Sequence, residues 1–399
     1  MTLADPVKNH YHVSMEYLFK LKNPVKYYAW GNSEWIPQLL GQEPDGHPWA
    51  EMWMGIHLEG ESTTEEGIPL SAAMLPESYV GTPGTLPFLF KVLAAGKALS
   101  IQAHPNRDQA RIGYQRENEA GIPLDAPNRN YKDQNHKPEI LCALGPFEAL
   151  CGFRPAEEII NRLETFSAGA SDSVTSIIRP VHKQAEKGIR EFFQALCAIP
   201  PESASILSDY TLEHAPVLAQ KSPHQAEEWQ LCARLAGQYP GDSAVLAPLY
   251  LNNISLEPGQ AIYVPAGVLH AYMHGFGVEL MATSDNVLRG GLTKKWIDYP
   301  ELFTILKFSP FQPEILRPKN NCYLTPTKEF SLFVQENSGQ AFPVVSGPCI
   351  VIVTQGEAVV NVGGRAYTLS QGQSAFIPDS GKKVTMSGVF TLYAAGIGV

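Results

Sequence analysis

Apolar positions along the chain change their spacing twice, and three zones follow. Residues 1–154 carry short apolar runs broken by Gly and Pro, such as Leu86-Pro87-Phe88-Leu89-Phe90-Lys91-Val92-Leu93. Runs of this length bounded by turn residues predict short strands of a sandwich or barrel. Over residues 155–245 the spacing turns helical. Ile159, Ile160, Leu163 and Phe166 share one face, as do Ile189, Phe192, Phe193 and Leu196. A third helix is predicted to start at Ser222-Pro223, an N-cap followed by Pro, and to bury Trp229, Cys232, Leu235 and Ala236. From Leu249 the strand texture returns, with Cys349-Ile350-Val351-Ile352-Val353 the clearest buried strand. The pattern predicts a mainly β protein with a helical insertion.

A faint repeat refines this. Gly259-Gln-Ala-Ile-Tyr-Val-Pro265-Ala-Gly267 is echoed by Gly372-Gln-Ser-Ala-Phe-Ile-Pro378-Asp-Ser380, each reading as turn, five-residue strand and Pro turn. His270 follows the first copy and Lys383 the second, so only one copy has a metal-capable side chain there. Three domains are expected: residues 1–154 with 246–320 as the β domain that carries His270, 155–245 as the helical insertion, and 321–399 as a β domain without that metal-capable side chain, covering its back.

Composition narrows the function classes. A 399-residue chain that is 44% hydrophobic has ample core for two or three domains and is not disordered. Its 32 prolines disfavour an all-helical fold. The net charge of −10, without a Lys/Arg stripe, points away from nucleic acid and anionic membranes, while a small phosphate ester needs only two or three local cations. The six cysteines form no close pair, as in a reduced cytosolic protein. The first twenty residues lack an apolar leader segment, and no stretch approaches the ~18–20 apolar residues of a membrane span. A soluble cytoplasmic protein is expected.

The candidate chemistry is a metal site. In Ile101-Gln102-Ala103-His104, strand alternation puts Gln102 and His104 on one face. Lys137 and Glu139 share a face in the same way, and a regular strand would align His270, Tyr272 and His274. Two His and one Glu converging in a barrel mouth suit Zn²⁺, with a position left for water or substrate. His10, His12, His182, His214 and His224 read as structural residues.

The spacing Gly96-x5-Gln102-x-His104 resembles the first cupin motif, with Gln replacing its first His. Gly259-x5-Pro265-x-Gly267-x2-His270 resembles the second, with His274 at its final Asn. Within cupins, an ordered set of segments over residues 24–300 resembles the type I phosphomannose isomerase family. These are Tyr28-Ala-Trp30-Gly31, Trp53-Met-Gly55, Leu99-Ser-Ile-Gln-Ala-His-Pro105, Arg129-Asn-Tyr-Lys-Asp133, Asn135-His-Lys-Pro-Glu139, Pro265-Ala-Gly-Val-Leu-His-Ala-Tyr272 and Ser284-Asp-Asn-Val-Leu-Arg-Gly-Gly-Leu-Thr293. His57-Leu58 and Lys294 depart from the family pattern.

The resemblance implies two cupin-type jelly-roll β domains plus an α-helical domain. It also implies one Zn²⁺ per chain on Gln102, His104, Glu139 and His270, with Arg289 as the catalytic arginine. The implied reaction interconverts mannose 6-phosphate and fructose 6-phosphate through an enediol, linking glycolysis to mannose and GDP-mannose metabolism. A monomer acting on a small sugar phosphate is expected. Arg289 fits charge stabilisation better than proton transfer; the alternative is an ion pair with Asp285. Lys137 is a proton relay or a salt bridge to Glu139. Glu279 and a metal-bound water are the two candidate bases. Ser100, Lys91 and Arg154 are offered for the phosphate, with Tyr272 and Asp285 as further substrate contacts; Lys91 and Arg154 read equally as surface charges. Tyr28, Trp30 and Trp53 read as core aromatics. The rival readings are a non-catalytic, metal-containing, sugar-binding cupin and a metal-dependent cupin oxygenase.

Overall fold

The computed structural model describes residues 16–74, 85–336, 348–379 and 381–398. His10, His12 and Ser380 lie outside the described residues. As the sequence pattern predicts, the architecture is mainly β with a helical insertion.

Two antiparallel sheets form the β body. The nine-stranded sheet runs Leu288–Gly291, Ile101–Ala103, His270–Ala282, Phe88–Ala95, Glu51–Met54, Val25–Lys26. Its long strand Glu139–Phe153 pairs with His270–Ala282 and also carries Leu251–Leu256 and Ala261–Val264. The eight-stranded sheet is built around Cys349–Val362 and Val384–Gly396. It also recruits an N-terminal strand: Phe19–Lys22 pairs with Ser374–Ile377, in the register Phe19 to Phe376. Chain order therefore does not separate the sheets, because an N-terminal strand completes the C-terminal one.

The continuous apolar run at Phe88–Ala95 is explained by burial on both faces. Phe88, Phe90, Val92 and Ala94 point into a core shared with Leu332, Ile350, Ile352 and Phe376 of the second sheet. Lys91 and Leu93, on the alternate face, look into the cavity described below. One strand thus joins the two sheets and carries a cation to the site.

Between Phe153 and Leu251, six α-helices pack through a core that includes Phe166, Phe193 and Trp229. The expected apolar faces are buried: Ile159, Leu163 and Phe166 on Ala156–Ser167, and Ile189, Phe192, Phe193 and Leu196 on Ile189–Cys197. The third predicted helix starts later than expected. Pro223–Gln225 forms a 3₁₀ turn and the α-helix is Ala226–Gln238, because Ser222 ends the preceding helix and its side chain caps nothing. A further helix, Arg107–Glu119, interrupts the zone read as strands. Asn106 and Gln109 start it with reciprocal side-chain to main-chain bonds.

Candidate metal centre

Three strands bring the ligand-capable groups together. His270 begins His270–Ala282 and is paired with Gln102, whose other neighbour is Arg289. Glu139 begins the long strand that runs beside His270–Ala282. One side-chain atom from each of His104, Glu139 and His270 lies within 4.8 Å of the others, and all three residues are about 1% exposed.

The hydrogen bonds state what this cluster lacks. His104 Nδ1 is 2.7 Å from the Asn286 carbonyl and His270 Nδ1 is 3.0 Å from the Val268 carbonyl. A carbonyl only accepts, so each Nδ1 carries the proton. Burial pushes His104 down to about 4, leaving a neutral ring. Each Nε2 is then a bare lone pair. His104 Nε2 lies 3.3 Å and His270 Nε2 3.2 Å from the Glu139 carboxylate, yet Glu139 Oε2 and both nitrogens make no hydrogen bond. Converging lone pairs in a buried site are repulsive alone and favourable around a cation. The donor set fits zinc: imidazole nitrogens oriented by backbone carbonyls, with a carboxylate. Burial alone would raise Glu139, but the Lys137 ammonium, with Nζ 3.0 Å from Oε1, holds it well below the usual carboxylate range.

Above this floor opens a cavity of about 600 Å³. Of the predicted site residues, Gln102, Glu139, Arg289, Lys137 and Glu279 line it, as do Ser100, Lys91, Tyr272 and Asp285. Lys91 Nζ lies 3.2 Å from Glu279 and 3.5 Å from Glu51, and these carboxylates hold it charged despite burial. Burial raises Glu279 in spite of Lys91. Arg289 makes no ion pair with any described residue, and the Asp285 carboxylate is 3.2 Å from His57 instead.

Two expectations are corrected. Arg154 does not reach this mouth. Its guanidinium donates to the Leu251 carbonyl at 2.8 Å and to Glu228 at 2.9 Å, and it lines a separate cavity beside the helical insertion. His274 does not share the side of His270. A register shift between Tyr272 and His274 breaks the alternation, and the ring packs edge-on against Trp35. The sequence pattern also left several cavity residues out of the expected site. Tyr28, Trp30 and Trp53 line the cavity rather than only a core, and Lys132, Lys294 and Lys295 add cations at its rim. Lys132 and Lys294 stand inside or beside matched segments, a signal that was available.

Comparison with known proteins agrees with this geometry. Residues 18–156 match the family model described as phosphomannose isomerase type I, catalytic domain. The mannose-6-phosphate isomerase of Salmonella typhimurium is 38% identical over 388 residues, covering 92% of this chain and 97% of that protein. The Escherichia coli enzyme of the same name is 37% identical with the same coverage. A crystal structure of the Salmonella typhimurium enzyme, bound to fructose 6-phosphate and zinc, superimposes with a TM-score of 0.85 at 33% identity, covering 96% of this chain and all of that one. Full-length similarity at this level, joined to a zinc-fitting cluster on the floor of a cation-rimmed cavity, makes this chain a member of the type I phosphomannose isomerase family.

Proposed function

We propose that this protein is a zinc-dependent aldose–ketose isomerase that interconverts D-mannose 6-phosphate and D-fructose 6-phosphate. The observation that carries the reading is the convergence of His104 Nε2, His270 Nε2 and the Glu139 carboxylate, without hydrogen bonds at either nitrogen or at Oε2, beneath a cavity large enough for a sugar phosphate.

Gln102, His104, Glu139 and His270 hold the metal. Bound there, zinc supplies a Lewis acid toward the oxygens at C1 and C2 of the opened sugar. Glu279 serves as the base: its carboxylate takes the proton from C2 of the aldose and returns it to C1 of the enediol, while the hydroxyl proton on O2 passes to O1, so the carbonyl moves to C2. Burial keeps its basicity above that of a solvated carboxylate, which suits proton transfer near neutral pH. Lys137 Nζ, beside Glu139, donates to a substrate oxygen, and Arg289 offsets negative charge developing on the enediol. Ser100 and the rim cations Lys132, Lys294 and Lys295 anchor the phosphate, with Tyr272 and Asp285 bounding the sugar. Burial and the nearby Arg289 and Lys132 lower Lys295, the mark of a cation cluster that an anion would relieve. The catalytic unit is residues 1–154 with 246–320, apart from the strands Phe19–Lys22 and Thr63–Thr64 that pair into the second sheet; the helical domain is 155–245, and the remaining β domain is metal-free. The enzyme acts as a cytoplasmic monomer; no helix among the described residues is long and apolar enough to cross a membrane.

The test is conversion of mannose 6-phosphate by as-purified, chelated and zinc-resupplied protein. Activity lost and then restored supports the reading. Activity untouched by verified metal removal overturns the metal's role, and no activity in any sample favours the sugar-binding cupin.

A further inference from the structure

Two loops carry much of the charge around the cavity. Residues 129–137 present Lys132 and Lys137, and residues 284–289 present Asp285 and Arg289. A single amide, Asn286, joins them and is 0% exposed. Its Nδ2 donates to the main-chain carbonyls of Asp133 and Asn135 at 2.9 and 2.8 Å. Its Oδ1 accepts from the main-chain N–H groups of Lys132 and Asp133 at 2.7 and 3.2 Å. The Asp133 carboxylate returns the connection, accepting from Ser284 Oγ at 2.9 Å and from the Asp285 N–H at 2.7 Å. Asn286 N–H in turn donates to Ser284 Oγ at 3.2 Å.

The chemistry of this joint is specific. One end of the side chain meets carbonyls and must donate; the other meets N–H groups and must accept. An amide offers both ends, whereas a carboxylate has no donor and an alkyl group has neither. The same residue's main-chain carbonyl receives the Nδ1–H of His104, which leaves Nε2 facing the ligand cluster. Side chain and carbonyl belong to one short segment, so moving one displaces the other.

We propose that Asn286 is a positioning residue of the metal centre, its side chain fixing the carbonyl that orients His104 and the loop that presents Asp285 and Arg289. This rests on the zinc reading above. It predicts that substitutions touching no ligand weaken zinc binding, because a metal-bound imidazole depends on the partner of its other nitrogen.

The experiment measures zinc affinity by competition with a chromophoric chelator, and kcat and KM at saturating zinc, for wild type, Asn286→Asp, Ser284→Ala and His104→Ala. Thermal melting of the metal-free forms establishes that each variant is folded. Asn286→Asp is expected to weaken zinc binding by about 10–100-fold and to lower kcat. Ser284→Ala removes the hydroxyl that Asn286 N–H and Asp133 share; it gives a smaller loss of the same sign and stands in if Asn286→Asp does not fold. Zinc affinity within about twofold of wild type in both variants, with His104→Ala losing zinc, overturns the proposal. Unchanged affinity in all three, His104→Ala included, overturns the metal assignment instead.

Discussion

The two β units share a strand arrangement and use it for opposite purposes. In the first, Glu139–Cys142 pair antiparallel with Ala261–Val264, the short strand that ends at Pro265. In the second, Cys349–Ile352 pair in the same way with Ser374–Ile377, the strand that ends at Pro378. Glu139 faces Val264 and Cys349 faces Ile377, so the two occupy equivalent positions. One is a carboxylate among bare imidazole nitrogens. The other is a buried thiol, raised to about 12 by burial, in a cluster with Val351, Val353 and Leu392. Lys383, where the repeat would place the counterpart of His270, is exposed. The arrangement tolerates either content: the first unit accepts the cost of buried polar groups because a cation offsets it, and the second gains stability from apolar burial.

The largest expected effect breaks this contrast at its centre. Glu139→Gln should lower turnover by about a thousandfold, or about 4 kcal/mol, with loss of bound zinc. Cys349→Ala, at the equivalent position, should leave turnover unchanged. Steady-state kinetics with metal analysis on both variants decides the matter; equal losses would erase the distinction. Next, Glu279→Gln should reduce kcat by about 10²–10⁴ with little change in KM, as expected for loss of a proton-transfer group. The converse experiment is Leu392→Ala, fully buried in the second unit. Chemical denaturation should show a loss of about 2–5 kcal/mol, with kcat per folded molecule unchanged.

Much of the metal centre was legible because alternation on short strands is a local rule: Gln102 with His104, and Lys137 with Glu139, needed only neighbouring residues. Departures arise where geometry is set from a distance. The register shift that turns His274 toward Trp35 leaves no mark in the alternation. Arg154 reads as a free cation until the helical insertion supplies Glu228, far away in sequence. The pairing of Phe19–Lys22 with the C-terminal sheet is likewise a long-range choice that local periodicity does not encode. The helix Arg107–Glu119 differs: its Asn106–Gln109 cap is a local signal, but the strand texture read over residues 1–154 passed over it. Family resemblance, rather than spacing, nominated Gln102 and Arg289.

Smaller predictions concern the edges of the two units. Arg154→Gln should leave KM for the sugar phosphate unchanged. Lys295→Gln should raise it by several-fold to about tenfold, because the phosphate then has one charge-assisted hydrogen bond fewer. A raised KM in the Arg154 variant would contradict the placement of its guanidinium. The units also meet at Glu329, which contacts Thr327 Oγ1 and lies 2.8 Å from His136 and 2.6 Å from Arg107. Burial would raise this carboxyl, but the Thr327 hydroxyl and His136 hold it at about 2, against an ordinary value of 4.5. Because the folded value is depressed, its contribution is complete above pH 4.5 and is lost as pH falls toward 2. Wild-type Tm should therefore fall more steeply over that range than the Tm of Glu329→Gln; parallel curves would contradict the assignment.

The most direct measurement titrates chelated protein with zinc while following conversion of mannose 6-phosphate. With one catalytic zinc held by Gln102, His104, Glu139 and His270, turnover starts near zero, rises in proportion to added zinc and stops rising at one equivalent per chain. Full turnover before any zinc is added, or a rise that continues well past one equivalent, would contradict that assignment.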